Sequence, residues 1–327
     1  MERIGIYGGS FDPPHLGHVQ AAKQAIAQRN LDKLFIIPSA AAHKEQPQQE
    51  AAALADRIKM LELCFAQLPG VEIHSPEENL DSFCPDDQRV EESISVLTGA
   101  DVRRLLAFRC ADAVLPDDVA RYIQIKGLYN TGKNLRHLPM ERLEQEVVNL
   151  LKPNRVKHVL GCRDTAVELA KRWGADETDA ARAALLHDVT KALDGPLQLV
   201  LCRTYDVELD DFAQHNPKTL HALTGSLVAQ RIFGENQAVV SAICSHTTGK
   251  ANMNTLEKII YVADYVEPNR TLEGVEALRQ LAYTDLDKAL KQGLEMTLAM
   301  LRQQGREISP GSQQALAWLN GKEEKIC

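Results

Sequence analysis

Short apolar runs alternate with amphipathic segments in the first half of the chain. The runs RIGIYG (residues 3–8), LDKLFIIPSA and VEIH predict three buried strands. Helical spacing in AAKQAIAQ and in EAAALADRIKMLELCFAQL predicts a helix between each pair of strands. Strands joined by helices lie parallel with right-handed crossovers, so the first half is predicted to be a Rossmann-like α/β domain.

The pattern changes around NTGKNLRHLPMERL, where Gly132 and Pro139 interrupt the mixed pattern. From Met140 onward nearly every segment has helical periodicity, and no strand is needed to account for the apolar positions. The second half is therefore predicted to be an all-α bundle. We place the domain boundary between residues 130 and 140, which gives domains 1–135 and 136–327.

Composition narrows the classes of partner. The chain has 327 residues and a net charge of −8 without a basic stripe, which argues against a nucleic acid or an anionic membrane surface but leaves small nucleotides open. The seven cysteines form no CxxC pair, which argues against a disulfide framework and indicates a reducing compartment. No apolar run is long enough to span a bilayer, and no signal peptide is evident, so we expect a cytoplasmic protein. A homodimer is left open.

The stretch GGSFDPPHLGH follows the first predicted strand, at the edge of the sheet where α/β proteins bind ligands. Its two glycines allow the backbone to approach a phosphate, and Pro13 and Pro14 stiffen the turn. His15 and His18 begin a helix whose amino end attracts anions. The pattern favours a triphosphate site; the alternative is a Gly-Pro turn with solvated histidines.

Together with PSAAAHK, ADRIKMLEL and ISVLTGADVRRLLAFRCADAVLPDDVARYIQIKGLY, this stretch resembles bacterial nicotinate mononucleotide adenylyltransferases. The resemblance implies a nucleotide-binding set, vestigial or sensing, made of Gly8, Gly9, Ser10, Phe11, His15, His18, Lys44 and Arg103. In that family a long segment with a substrate-binding SYT turn and a strand ending in a GAD turn follows the third strand. Here only the polar segment ENLDSFCPDDQRVEES stands in its place. We therefore expect adenylyl transfer to be lost, because that reaction needs both reactants held together.

Histidines and aspartates recur within otherwise apolar helical segments of the second half. They are His158, His187, Asp188, His221, His246 and Asp264. Burying such groups is costly unless a partner or a metal compensates, although a single buried histidine is more often a satisfied packing residue. Imidazole and carboxylate without thiolate favour Fe, Mn, Zn or Mg, and six ligands exceed what one catalytic ion needs. Two divalent ions that share Asp188 would fit.

The segments AALLHDVTK, TLHALTGS, SHTTGKANMNTLEKIIYVADYVEPNR and GREISPGSQQALAWL resemble the HD phosphohydrolase superfamily, and most closely its YqeK branch of symmetrical diadenosine tetraphosphate hydrolases. The resemblance implies one iron on His158, His187, Asp188 and Asp264. It implies a second iron on Asp188, His221 and His246. The implied substrate is diadenosine tetraphosphate, cleaved to two ADP.

Two such ions would make a water more acidic and polarise phosphoryl oxygens. The catalytic set would comprise Asp188 with Lys191 and Arg270, which would assist the charge that builds up on phosphate oxygens. Both cations are equally well explained as solvated helix charges. The turn at Thr247, Thr248 and Gly249 would bind substrate phosphates through its hydroxyl groups.

Three hypotheses for the whole chain remain. In the first, a metal-dependent hydrolase carries a degenerate nucleotide domain that packs or dimerises. In the second, a bifunctional enzyme also makes NAD precursors. In the third, the first half senses a nucleotide and regulates the hydrolase. The missing segment after VEIH ranks the second hypothesis last.

Overall fold

The computed structural model describes residues 2–41, 51–76, 97–271 and 273–323, together with a two-residue strand at 89–90. The chain forms two compact units, Met1–Asn134 and Leu135–Cys327. None of the helices in these described ranges is both long and apolar enough to cross a membrane.

The first unit is built on a parallel sheet flanked by helices. Its strands are β1 (Ile4–Gly9), β2 (Lys33–Pro38), β3 (Val71–Ile73) and β4 (Arg89–Val90), in the order β3-β2-β1-β4. Its helices are α1 (Leu16–Arg29), α2 (Leu54–Phe65), α3 (Gly99–Ala107) and α4 (Asp117–Lys126). The predicted βαβαβ order and the Rossmann-like fold class are confirmed.

Continuous burial along β2 accounts for the parallel arrangement. Leu34, Phe35 and Ile36 are all buried, so both faces of this strand are covered, as is usual when helices pack on both sides of a parallel sheet. β1 pairs with β2 in register from Ile4 with Lys33 to Gly9 with Pro38. β4 was not predicted, because a two-residue strand within a polar segment has no periodicity to detect.

The second unit contains helices and no strand among its described residues, which confirms the all-α prediction. Its helices are α5 (Met140–Leu150), α6 (Pro153–Trp173), α7 (Glu177–Leu186), α8 (Gly195–Thr204), α9 (Asp211–His215), α10 (His221–Val228), α11 (Gln237–Ser245), α12 (Thr255–Val266), α13 (Val275–Thr284), α14 (Leu286–Gln303) and α15 (Pro310–Glu323). A π-helical turn, Ala229–Phe233, continues α10.

Local signals fix where the central helices begin and end. Pro153 opens α6, and Gly174 closes it in the left-handed conformation that glycine adopts without strain. Asn254 caps α12 by accepting from the backbone N–H of Glu257, whose carboxylate accepts from the N–H of Asn254 in return. These caps set which residues of each helix face the interior.

The core of the second unit lies where α6, α7, α11 and α12 pack against one another. α7 contributes small buried residues, including Ala180, Ala183 and Ala184, before the larger Leu185 and Leu186. Small side chains let neighbouring helices approach closely, and the carboxyl ends of α7 and α11 come next to the first turns of α6 and the last turn of α12. The buried polar residues described next lie at this meeting point.

Candidate metal centre

Five helices each bring a polar side chain to the centre of the second unit. His158 lies on α6, and His187 and Asp188 directly follow the last residue of α7. The others are His221 at the first position of α10, His246 directly after α11, and Asp264 on α12. All six predicted ligands are therefore brought together, most of them at helix ends.

The carboxylate of Asp188 lies in the middle of the cluster and is completely buried. Its Oδ2 faces Nε2 of His187 at 3.4 Å and Nε2 of His158 at 3.7 Å. Its Oδ1 faces Nε2 of His221 at 3.5 Å and Nε2 of His246 at 3.8 Å. The two oxygens of one carboxylate thus face two separate pairs of histidines.

Asp264 joins the first of these pairs. Its Oδ1 lies 3.0 Å from Nε2 of His158 and 3.9 Å from Nε2 of His187. Three overlapping sets of residues each have their ligand atoms within 4.8 Å of one another. The sets are His158, His187 and Asp188; His187, His246 and Asp264; and Asp188, His221 and His246. Divalent ions bind such donors at about 2.0–2.2 Å, a spacing that these sets accommodate.

The four histidines are oriented by contacts at their other ring nitrogen. Each Nδ1 faces an oxygen acceptor. For three of the histidines it is a backbone carbonyl: Ala184 for His187 at 2.6 Å, Lys218 for His221 at 2.9 Å and Ile243 for His246 at 2.7 Å. For His158 it is the carboxylate of Glu267, at 3.0 Å. An N–H at Nδ1 leaves the Nε2 lone pair directed into the cluster, which is the arrangement that metal ligation requires. The Nε2 atoms of His158 and His187 are buried and make no hydrogen bond with any described residue.

Glu267 is a functional residue that the sequence analysis missed. It is only 1% exposed, and its Oε2 accepts from the backbone N–H of Asn269 at 2.7 Å. A Cβ on Gly161 would lie 2.6 Å from the same Oε2, so the absence of a side chain at 161 makes room for the carboxylate. Glu267 comes three residues after Asp264 and directly follows the last residue of α12, and this closeness in sequence to a predicted ligand could have revealed it.

Two of the candidate ligands have protonation states that suit metal binding. Burial raises the pKa of the Asp188 carboxyl, but His187, His246 and Lys191 outweigh it and hold this pKa well below its usual range. Burial, with a contribution from Lys191, lowers the pKa of His221 to about 3. Asp188 is therefore ionised and His221 neutral at neutral pH, as metal ligands must be.

Three cations contact the two carboxylates. Nζ of Lys191 lies 3.1 Å from Oδ1 of Asp188. Arg270 donates from Nη2 to Oδ1 of Asp264 at 2.5 Å and from Nε to its carbonyl at 2.8 Å. Arg155, which the sequence analysis did not single out, donates from Nη2 to Oδ2 of Asp188. Lys191 and Arg270 thus lie where they were expected.

Only part of the predicted substrate-binding turn, Thr247–Gly249, faces the cluster. The hydroxyl of Thr247 lies 3.1 Å from Nε2 of both His221 and His246, within the cluster. The carbonyl of Thr248 instead accepts from the hydroxyl of Ser312 on α15 at 2.7 Å. A Cβ on Gly249 would lie 3.3 Å from Ala315, so this end of the turn packs against α15.

In the first unit, the predicted nucleotide-binding residues surround the turn after β1. His15 and His18 are buried, and their ring centroids lie 3.7 Å apart. Burial, together with the charge of His18, lowers the pKa of His15 to about 2. Phe11 is buried with its ring 4.9 Å from that of His18, and no described atom lies within 4 Å of where a Cβ on Gly8 would be. Gly8 thus leaves open space near the carboxyl end of β1, and the histidine pair is shielded from solvent.

A buried network around Asp12 holds this turn. Arg103 donates to the carbonyl of Asp12, and its Nη1 lies 3.3 Å from Oδ2 of that residue. The hydroxyl of Tyr129 donates to Oδ1 of Asp12 at 2.6 Å, and the buried Arg57 donates to the carbonyl of Ser10 at 2.7 Å. Arg103 therefore binds the turn itself. Gly9 ends β1, and Lys44 lies outside the described residues.

Comparison with known proteins agrees with this division of the chain. The family described as "Cytidylyltransferase-like" matches residues 6–104, and the "HD domain" family matches residues 155–269. A protein of Bacillus subtilis (strain 168) named "Bis(5'-nucleosyl)-tetraphosphatase, symmetrical" is 38% identical over 172 residues, which cover 52% of this chain and 91% of that protein.

Two further relatives bear on the two halves. A crystal structure from Clostridium acetobutylicum, titled as a predicted HD superfamily hydrolase involved in NAD metabolism, covers 57% of this chain and 98% of its own, with 36% identity and a TM-score of 0.55. A Mycoplasma pneumoniae protein named "Probable nicotinate-nucleotide adenylyltransferase/Ap4A hydrolase" is 26% identical, covering 91% of this chain and 98% of its own. Both resemblances read from the sequence are confirmed. The chain therefore belongs to the family of symmetrical bis(5'-nucleosyl)-tetraphosphatases with an HD domain, which here follows a cytidylyltransferase-like unit.

Proposed function

We propose that the second unit hydrolyses diadenosine tetraphosphate to two ADP with two divalent metal ions. The observation that carries this proposal is the placement of Asp188, whose Oδ2 faces His158 and His187 while its Oδ1 faces His221 and His246. A buried carboxylate placed in this way would contribute to holding each of two ions. The substrate and the symmetric cleavage are supported by the name of the Bacillus subtilis relative.

The ligands divide between the two ions as the resemblance implies. His158, His187, Asp188 and Asp264 would hold the first ion, and Asp188, His221 and His246 the second. Two of the three overlapping donor sets support this division. Nitrogen and oxygen donors suit iron, manganese and zinc, and iron is proposed as the native metal on the resemblance alone.

The protein groups around the centre have separate tasks in the reaction. The oxygen of a water bonds to a central phosphorus, the bond from that phosphorus to the central bridging oxygen breaks, and ADP leaves as one proton is released. Bound divalent ions supply the acidified water and the polarised phosphoryl oxygens. Lys191 and Arg270 would stabilise charge on the phosphate oxygens, and the hydroxyl of Thr247 would orient a phosphate between His221 and His246.

The first unit, proposed as a domain of residues 1–135, would bind or sense a nucleotide without transferring an adenylyl group. The short segment after VEIH and the contact of Arg103 with Asp12 support this role. Bifunctionality is the alternative, favoured by the name of the Mycoplasma pneumoniae relative. The five described cysteines are free thiols, which supports a reducing cytoplasm. A homodimer stays a prediction.

Metal content tests the two-ion centre. After anaerobic reconstitution with iron(II) or manganese(II), elemental analysis should find two ions per chain in the unaltered protein. Asp188→Asn should lose both, because the bridging charge is gone, whereas Asp164→Asn on the outer side of α6 should keep both. Metal at background level in the unaltered protein would contradict the proposal.

Glu267→Gln tests how His158 is held. The substitution keeps the size of the side chain but removes the charge that faces Nδ1 of His158. Loss of such an outer contact typically weakens metal affinity about 10- to 100-fold, and we expect this for manganese(II) binding measured by calorimetry. The exposed Glu276→Gln serves as the control. Equal affinity in both variants would show that Glu267 has no such role.

Products formed in oxygen-18 water test the site of attack. Central cleavage places the label in ADP, whereas label confined to ATP or AMP would refute symmetric hydrolysis. His246→Ala should reduce the rate by orders of magnitude, because a ligand of the second ion is lost. Lys191→Met should cost less, about 1.5 to 3 kcal/mol of transition-state stabilisation.

Pyrophosphate release tests the first unit. ATP with nicotinate mononucleotide should yield no pyrophosphate, because the segment that positions the mononucleotide is missing. A full-length bacterial nicotinate mononucleotide adenylyltransferase, assayed in parallel, provides the positive control. Robust turnover that disappears in His18→Ala would instead establish the bifunctional alternative.

A further inference from the structure

Arg155 reaches the candidate metal centre from a partly exposed position in the first turn of α6. It lies on α6 three residues before His158, and its side chain is 25% exposed. Nη2 donates to Oδ2 of Asp188, while Nε is buried and makes no hydrogen bond with any described residue. A guanidinium has five N–H donors, and the buried Nε–H of this one is unused.

The oxygen that Arg155 contacts is the one that the first ion would need. Oδ2 of Asp188 also faces Nε2 of His158 and of His187. A guanidinium and a divalent cation on the same carboxylate oxygen repel each other, and this repulsion is strong where water is excluded. Metal binding would therefore weaken the contact between Arg155 and Asp188 and free a cation at the mouth of the centre.

Arg270 and Lys191 are placed differently. Arg270 donates two hydrogen bonds to Asp264, one to its carboxylate and one to its carbonyl. Lys191 contacts Oδ1 of Asp188 at 3.1 Å, on the side of the second ion. Arg270 also lies on the side of the first ion, but both its Nε and its Nη2 are hydrogen-bonded. Arg155 differs in having a buried Nε–H with no hydrogen-bond partner among the described residues.

The charges around the centre favour a ligand with several phosphates. Arg155, Lys191 and Arg270 balance the formal charges of Asp188, Asp264 and Glu267. Two divalent ions would leave a large positive excess. A phosphate chain bearing about one negative charge per phosphate would neutralise it. Arginine binds phosphate oxygens through two parallel N–H donors, a geometry that lysine cannot reproduce.

We propose that Arg155 is a phosphate-binding residue that exchanges Asp188 for a phosphate of the nucleotide once metal is bound. This inference rests on the proposed two-ion centre and extends it to substrate recognition. In the metal-free protein Arg155 neutralises Asp188; in the loaded protein it binds the phosphate chain on the side of the first ion. Arg155 thereby couples metal loading to nucleotide affinity.

Two binding measurements on the full chain test the exchange. The variant is Arg155→Gln, and Arg163→Gln on the same helix is the matched control, since Arg163 is 24% exposed and pairs with Glu144 and Asp164 away from the centre. Calorimetry would measure manganese(II) binding to metal-free protein and ADP binding to manganese-loaded protein. Arg155→Lys would show whether charge alone suffices.

For Arg155→Gln we expect ADP to bind about 10- to 100-fold more weakly, from the loss of a charged hydrogen bond, while manganese(II) binds at least as tightly as in the unaltered protein. Arg163→Gln should match the unaltered protein in both measurements, and Arg155→Lys should restore ADP binding in part. Unchanged ADP affinity in Arg155→Gln, weakened manganese(II) binding, or no ADP binding by the loaded unaltered protein would overturn the inference. Binding that follows the expected pattern without cleavage of diadenosine tetraphosphate would refute the proposed reaction and leave the role of Arg155 supported.

Discussion

Burial of the Asp188 carboxylate is the constraint on which the second unit depends. An ionised carboxylate without contact to water is tolerated only when opposite charges or hydrogen-bond donors surround it closely. Here Lys191 and Arg155 contact the carboxylate, and four imidazoles whose Nε2 atoms face it would hold the divalent ions that supply further positive charge. These groups come from α6, α10 and the residues that follow α7 and α11. The helices must therefore meet at one point, and their ends must be fixed, for the carboxylate to remain charged.

The first unit also contains a buried carboxylate that several segments of the chain surround, that of Asp12. Its carboxylate is buried, and it accepts from the hydroxyl of Tyr129 and from the backbone N–H of Ala52 while Arg103 contacts it. Gly99 permits this arrangement, because a Cβ there would lie 2.7 Å from the carbonyl of Asp12. The turn after β1 is thus held from the far end of the unit, and it can keep its shape without a bound nucleotide.

The sequence predicted the fold class of both halves and the residues that meet at the metal centre. Periodicity revealed the helices, and polar residues within apolar helical segments revealed the candidate ligands. The contacts that orient those ligands were missed, because Glu267 and His158 are 109 residues apart and only tertiary packing brings them together. Arg155 was missed for a related reason. An arginine near the start of a helix is ordinary on a protein surface, and nothing in its neighbours shows that it points inward.

The absence of a side chain at Gly161 makes residue 161 and residue 267 depend on each other, although they are far apart in the sequence. Any larger residue there would meet Oε2 of Glu267 and Nδ2 of Asn269, which would lie 2.6 Å and 2.9 Å from its Cβ. A lineage could therefore enlarge residue 161 only after residue 267 had become shorter, and that first step would leave His158 without its carboxylate partner. Neutral drift along this route would pass through a poorly active intermediate, so the glycine and the glutamate are expected to be inherited as a pair.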